Sequence, residues 1–368
     1  MRLESISVTG LFGKTAPVRY DFHHDLNIIT GRNGSGKTTI IKLAWLIMSG
    51  NIYWALKEIN FKACKLVTSE YTCIVTKIAN IYCRIDLQMK NGETYLFEDG
   101  GPDGNADWVE SSEEQAAPFL IGTGSSIFFP TFRRIEGGFS LDVTRRVKPR
   151  AGNRSGGDID EALTSLSNKM SNEEHLFVAA ISSQDINSIL LKKFASLSEE
   201  INIFQAEVSR NVIEKIKQHQ KSNSQARDAD TLLAETRQEI EKIETFRTES
   251  MRPLEAVRML VEKLFQHAGI SFDRRLSFGD AAEAVTSDVL SAGEKQMLSF
   301  ICYNAFHQNA IIFIDEPELS LHVDWQRQLY RILKKQNPTN QFIFATHSPF
   351  IYGKYPDKEV AIGVDRGE

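Results

Sequence analysis

Apolar and polar positions along this 368-residue chain follow three rhythms. Near the N-terminus the period is two. Ile6 and Val8 alternate with polar residues, and Val18, Tyr20 and Phe22 do so beyond a Gly10–Gly13 turn, which predicts antiparallel strands with one buried face. The alternation returns in Tyr71–Ile78, Ile81–Gln88 and Thr94–Phe97, with Asn91-Gly92 as a tight turn between the last two. A second rhythm is unbroken: Leu26–Ile29, Ser126–Pro130, Ile311–Ile314 and Gln341–Thr346 are short apolar runs, the pattern of central strands covered on both faces. The third is helical. Lys37–Ser49 is apolar nearly all round, a buried helix with Gly50 at its stop.

Between Asp185 and His267 apolar residues recur three or four apart: Ile201, Phe204, Val208 and Val212, then Leu233, Thr236, Ile240, Ile243 and Phe246 after the polar break Lys221–Asp230. This predicts a helical hairpin or short coiled coil with two arms of about 25 residues, about 35–40 Å long, and Pro253 ending or bending the returning arm. The expected organisation is an α/β head in two parts, 1–195 and 253–368, with a helical insertion at 196–252.

Composition narrows the partners. The net charge of −5 means the surface as a whole is no trap for nucleic acid, so any such contact must be local. The local candidate is 137–158, where Arg145, Arg146, Lys148, Arg150 and Arg154 stand without an acid among them: a solvated loop, or a contact for nucleic acid or an acidic partner. The four cysteines, Cys64, Cys73, Cys83 and Cys302, have no metal-ligand spacing and read as reduced thiols. No apolar run reaches the roughly 20 residues of a membrane span and MRLESISVTG has no signal-peptide core, so a cytoplasmic protein without membrane contact is expected.

The chemistry concentrates after the unbroken runs. Leu26–Ile29 leads into Gly31-Arg32-Asn33-Gly34-Ser35-Gly36-Lys37-Thr38-Thr39, the strand–turn–helix context of a P-loop. There, Arg32 to Thr39 would wrap a nucleoside triphosphate with backbone N–H groups, Lys37 would meet the β- and γ-phosphates, and the Thr38 hydroxyl would ligate Mg²⁺. The run Ile311–Ile314 ends in Asp315-Glu316: Asp315 suits the Mg²⁺ shell, and Glu316 suits the base that takes a proton from attacking water. Gln341–Thr346 ends in His347, on what should be the neighbouring strand and within reach of a γ-phosphate. Ser291 and Glu294 form a capping box opening a helix to about His307; the free N–H groups of that N-terminus and the Ser291 hydroxyl make a second phosphate-binding surface.

Taken in order, GRNGSGKTT, LSAGEKQ, FIDEPELSLH and ATHSP resemble the ATP-binding cassette (ABC) ATPases of the RecF/SMC/OLD branch. The resemblance covers about 1–135 and 255–368. It implies a P-loop ABC ATPase head, a mixed sheet with an antiparallel β-flank, working as a head-to-head homodimer. Each ATP would lie between Gly31–Thr39 of one copy and Ser291–Gly293 of the other, with Leu319–His322 as the D-loop. No Q-loop glutamine follows the Ser126–Pro130 strand, and Arg133 or Arg134 is expected in its place. The size, PTFRRIE and modest insert resemble ATPase subunits of bacterial anti-phage systems, PARIS first and Septu second. That implies a sensor or scaffold controlling a separate Toprim or HNH nuclease, triggered by DNA or a phage protein. About 20 residues follow Pro349, room for a closing strand Glu359–Val364 but not for a nuclease. The alternatives are a RecF/SMC-like DNA-maintenance ATPase that clamps duplex and, more remotely, a transporter ATPase.

Overall fold

The computed structural model describes residues 1–13, 16–99, 111–135, 157–172, 174–181, 183–221, 226–267 and 291–363. The basic stretch at 137–158 lies almost wholly outside them, as does the end of the expected closing strand. The chain divides into two compact units, Met1–Ser182 with Leu290–Glu368, and Ser183–Val289.

In the first unit, β1 (Leu3–Thr9) and β2 (Val18–Asp21) pair antiparallel, as the alternation requires. The fully buried β3 (Leu26–Thr30) then feeds α1 (Lys37–Met48), and α2 (Ile52–Glu58) follows. The meander β4 (Ala63–Thr68), β5 (Tyr71–Ala79), β6 (Tyr82–Met89) and β7 (Thr94–Glu98) completes an antiparallel sheet of order β2-β1-β4-β5-β6-β7. Next come α3 (Ser112–Ile121), β8 (Ser125–Phe129), β9 (Arg134–Ile135), α4 (Gly157–Met170), β10 (His175–Phe177) and β11 (Ala180–Ile181). The sequence rhythm did not single out α2, β4, α3 or α4.

The second unit holds α5 (Ser183–Lys221) and α6 (Ala226–His267). Their 39 and 42 residues are longer than the expected arms, and α6 runs through Pro253 without ending there. Phe204 and Phe246 stack across the hairpin, ring centroids 4.3 Å apart. Between Leu233 and Ser250 the inward positions of α6 are Thr236, Glu239, Ile243, Phe246 and Ser250, a three-four alternation that leaves Leu233 and Ile240 exposed. Glu239 is inward because Lys215 meets it from α5 at 3.7 Å.

The chain then returns to the first unit with α7 (Ala292–Phe306), β12 (Ala310–Asp315), α8 (Val323–Gln336), β13 (Gln341–Ala345), the short α9 (Pro349–Tyr352) and β14 (Glu359–Ala361). These close a parallel sheet of order β10-β8-β12-β13-β3-β14. Every residue of β12, β13 and β3 is buried, as unbroken apolar runs demand. Trp45 of α1, fully buried, packs on Phe128 of β8 and Phe177 of β10 at 5.6 and 5.3 Å. The two sheets are tied by a buried side-chain amide: Leu3 N–H donates to Gln341 Oε1 at 2.7 Å, and Gln341 Nε2 donates to Leu3 O at 2.8 Å.

Candidate nucleotide site

Four adjacent parallel strands, β8, β12, β13 and β3, deliver their C-terminal ends to one place, the position where open α/β sheets bind ligands. At the end of β3 the loop Gly31–Gly36 turns sharply into α1. Gly36 has φ of +99°, and the Phe12 ring occupies the space a Cβ would need, so no other residue fits there. Arg32, Asn33 and Gly34 are exposed, while Ser35, Gly36 and Lys37 are buried. Lys37 Nζ donates to Gly31 O (3.1 Å) and Arg32 O (3.3 Å) and lies 2.5 Å from His347 Nε2. Burial lowers the Lys37 pKa, while the charges of Glu316, Asp315 and Glu318 oppose that shift.

Asp315 ends β12 with no exposed surface. Its Oδ1 accepts from Thr38 Oγ1 at 3.1 Å, and its Oδ2 accepts from Thr131 Oγ1 beyond β8. Burial raises the Asp315 pKa, and the two hydroxyls with the Arg133 and Lys37 charges counter it. The Asp315 carboxylate at the end of β12 and the Thr38 hydroxyl in the first turn of α1 are hard oxygen donors, the set that Mg²⁺ takes.

Glu316 follows with φ of +46°, left-handed for a residue with a side chain. Its N–H donates to Ala345 O at 2.7 Å, and its carbonyl accepts from Arg133. Burial raises its carboxyl pKa, helped by the charges of Asp315 and Glu318. Glu318 in turn fixes the neighbouring strand end: it accepts from Thr346 Oγ1 and from the His347 N–H, both at 2.7 Å.

Of the two arginines, Arg133 enters the site. Its Nη1 donates to Asp315 O (2.7 Å) and Pro130 O (2.8 Å), and its Nη2 to Glu316 O (2.9 Å). Burial lowers its pKa to about 10, which leaves it charged at neutral pH. Arg134 instead belongs to β9, whose backbone pairs with Ala180 of β11.

Ser291 caps α7, its N–H donating to Glu294 Oε2 at 2.8 Å and its hydroxyl accepting from Glu294 N–H at 3.4 Å. It is exposed, and Ala292 and Gly293 are partly so. Gly293 lies against the Ser320 carbonyl, where a Cβ has no room, so the start of α7 packs on the Leu319–His322 segment. Gln296 Nε2 adds a bond to Pro317 O at 3.1 Å.

The geometry therefore gathers Lys37, Thr38, Asp315, Glu316 and His347, and leaves Ser291–Gly293 facing solvent in their own cap. It adds Thr131, whose sequence signal was only its place just past a buried run, and the anchoring by Glu318. It also adds a cavity of about 450 Å³ beside the first turn of α1, lined by Phe12, Thr38, Thr39, Lys42, Glu58 and Asn60. The four cysteines are free and buried, and no helix among the described residues is long and apolar enough to cross a membrane.

Two family models match. One, described as "AAA domain", matches residues 11–250; the other, described as "AAA domain, putative AbiEii toxin, Type IV TA system", matches 161–352. A curated relative, the retron Vc95 probable ATPase of Vibrio cholerae serotype O1 biovar El Tor, is 29% identical over 86 residues, covering 20% of this chain and 17% of that protein. The match thus spans about a sixth of the relative's length. Among solved structures, the Smc head domain from Pyrococcus furiosus bound to the C-terminal domain of ScpA aligns over 96% of this chain and 91% of that one, with 15% identity and a TM-score of 0.39. The SMC head domain from Thermotoga maritima aligns over 96% and 92%, with 14% identity and a TM-score of 0.38.

Proposed function

The chain belongs to the AAA-domain family, and on that premise we propose that it hydrolyses ATP to ADP and phosphate between two copies of itself, as the sensor or scaffold of an anti-phage system. The observation that carries the reading is the convergence of Lys37, Thr38, Asp315, Glu316 and His347 beyond the ends of three neighbouring strands, β3, β12 and β13. Arg32–Thr39 wrap the phosphates, with Lys37 turning from the Gly31 and Arg32 carbonyls to the β- and γ-phosphates. Thr38 and Asp315 hold Mg²⁺, which when bound neutralises charge on the β- and γ-phosphate oxygens. Glu316 takes a proton from the water that attacks the γ-phosphorus; the bond to the bridging oxygen breaks, and ADP leaves. His347, held by Glu318 through its N–H, bonds the γ-phosphate oxygens. The cavity beside Thr38 and Thr39 receives the nucleoside.

The exposed cap Ser291–Gly293 supports pairing: its free helix N–H groups suit the γ-phosphate held by a second copy. ATP then joins the copies, and hydrolysis parts them. The retron relative and the toxin–antitoxin wording of one family description support a defence role. In that role the effector is a separate chain, a Toprim nuclease as in PARIS or an HNH nuclease as in Septu, and DNA or a phage protein is the trigger.

The test is the specific ATPase rate against protein concentration. A rate per subunit that rises with concentration and saturates is expected. A constant rate in strictly monomeric protein overturns the pairing, and absence of hydrolysis at any concentration overturns the ATPase reading. Co-purification from the native host, with a nuclease retained on the ATP-bound protein, tests the defence role.

A further inference from the structure

Arg133 is a buried cation whose strongest bonds go to backbone, not to carboxylates. Its two Nη groups make three bonds, to Pro130 O, Asp315 O and Glu316 O, all within 2.9 Å. The Phe300 ring of α7 lies against the guanidinium, its centroid 5.6 Å from Cζ. The two carbonyls it bridges, at the last residue of β12 and the residue after it, belong to the proposed metal ligand and the proposed base. Between them the chain leaves extended geometry at Asp315 for left-handed geometry at Glu316, φ +46°. A residue with a Cβ stays there only when its surroundings over-determine it. Here the Glu316 N–H is held by Ala345 O and its carbonyl by Arg133, so the peptide is gripped from both sides.

We infer that Arg133 is a positioning residue for hydrolysis: its guanidinium fork clamps the Asp315 and Glu316 carbonyls and so aims the Glu316 carboxylate at the attacking water. The inference rests on the ATPase reading above. It assigns Arg133 no contact with nucleotide, and it predicts that a lysine substitutes poorly. A lysine ammonium lacks the planar fork that spans two carbonyls. The clamp joins the end of β8 to the end of β12, so it also holds Thr131, just past β8, where its hydroxyl meets Asp315.

The experiment is a double-mutant cycle on the full chain with Arg133→Met, Arg133→Lys and Glu316→Gln, reading kcat and, separately, nucleotide Kd. Arg133→Met is expected to lower kcat about 100-fold and change Kd less than about threefold. In the Glu316→Gln background the same change should cost less than about threefold in kcat, because the group it aims is already disabled. Arg133→Lys, which keeps the charge, should fold and lose about tenfold in kcat at unchanged Kd. Losses that add fully in the double variant, a Kd that worsens in step with kcat, or wild-type kcat in Arg133→Lys would each overturn the inference. If wild-type protein hydrolyses no nucleotide, the ATPase reading itself falls; if it does and the Arg133 variants match it, only the clamp falls.

Discussion

Glu316 bears two local costs at once. Its left-handed backbone is worth about 1–2 kcal/mol against an extended or helical alternative. Its carboxylate is partly buried beside Asp315 and Glu318, which raises its pKa. Glu316→Gln should therefore leave nucleotide binding intact and slow hydrolysis by roughly 10²–10⁴, read by single-turnover assay. Glu316→Gly should be as inactive yet melt higher by a few degrees, since glycine accepts the positive φ and the carboxylate repulsion is gone; Glu316→Ala, which keeps the Cβ, should gain less. At this scale the sequence was legible where the chemistry fixes neighbours along the chain. The P-loop, the Asp315-Glu316 pair and His347 each follow a buried strand directly. Thr131 was not legible because its partner, Asp315, lies 184 positions away. The anchoring by Glu318 and the Gln341 bridge to Leu3 were hidden for the same reason.

At the scale of the element, unbroken apolar runs were read well because a strand covered on both faces leaves no other choice. The hairpin was read less well. Ile240 is one residue off the inward series Thr236, Glu239, Ile243 and Phe246, and the polar Glu239 takes its place by meeting Lys215. Edge strand β10 carries a prediction of its own. Its His175 is fully buried, Nδ1 lying 2.7 Å from Ser126 Oγ, and burial pushes its pKa down to about 4. An imidazole held neutral in the fold but protonated near pH 6.5 when unfolded stabilises fully above pH 6.5. That contribution fades as pH falls towards 4, by up to about 3 kcal/mol. The thermal midpoint of wild-type protein should drop over that window, and a His175→Gln variant should lose this part of the slope.

For the molecule as a whole, the decisive variant is Ser291→Arg. It alters an exposed cap with no bond to Lys37 or Thr38 of the same chain, so nucleotide affinity measured on dilute protein should stay within about threefold. The concentration-dependent ATPase rate should vanish, because the bulky cation stands where a second copy must close. Equal turnover would argue that each chain works alone. The topology also has a consequence for how the protein is made. Strand β3, fully buried, pairs only with β13 and β14, which are synthesised about 310 residues after it. At roughly 5–20 residues per second a ribosome needs about 15–60 s to supply those neighbours. For that interval the P-loop strand leaves the exit tunnel with both edges open, a ready substrate for a chaperone and a hazard for aggregation. A chain truncated before β12 should accordingly be recovered with a chaperone or as inclusion bodies, and should not bind nucleotide.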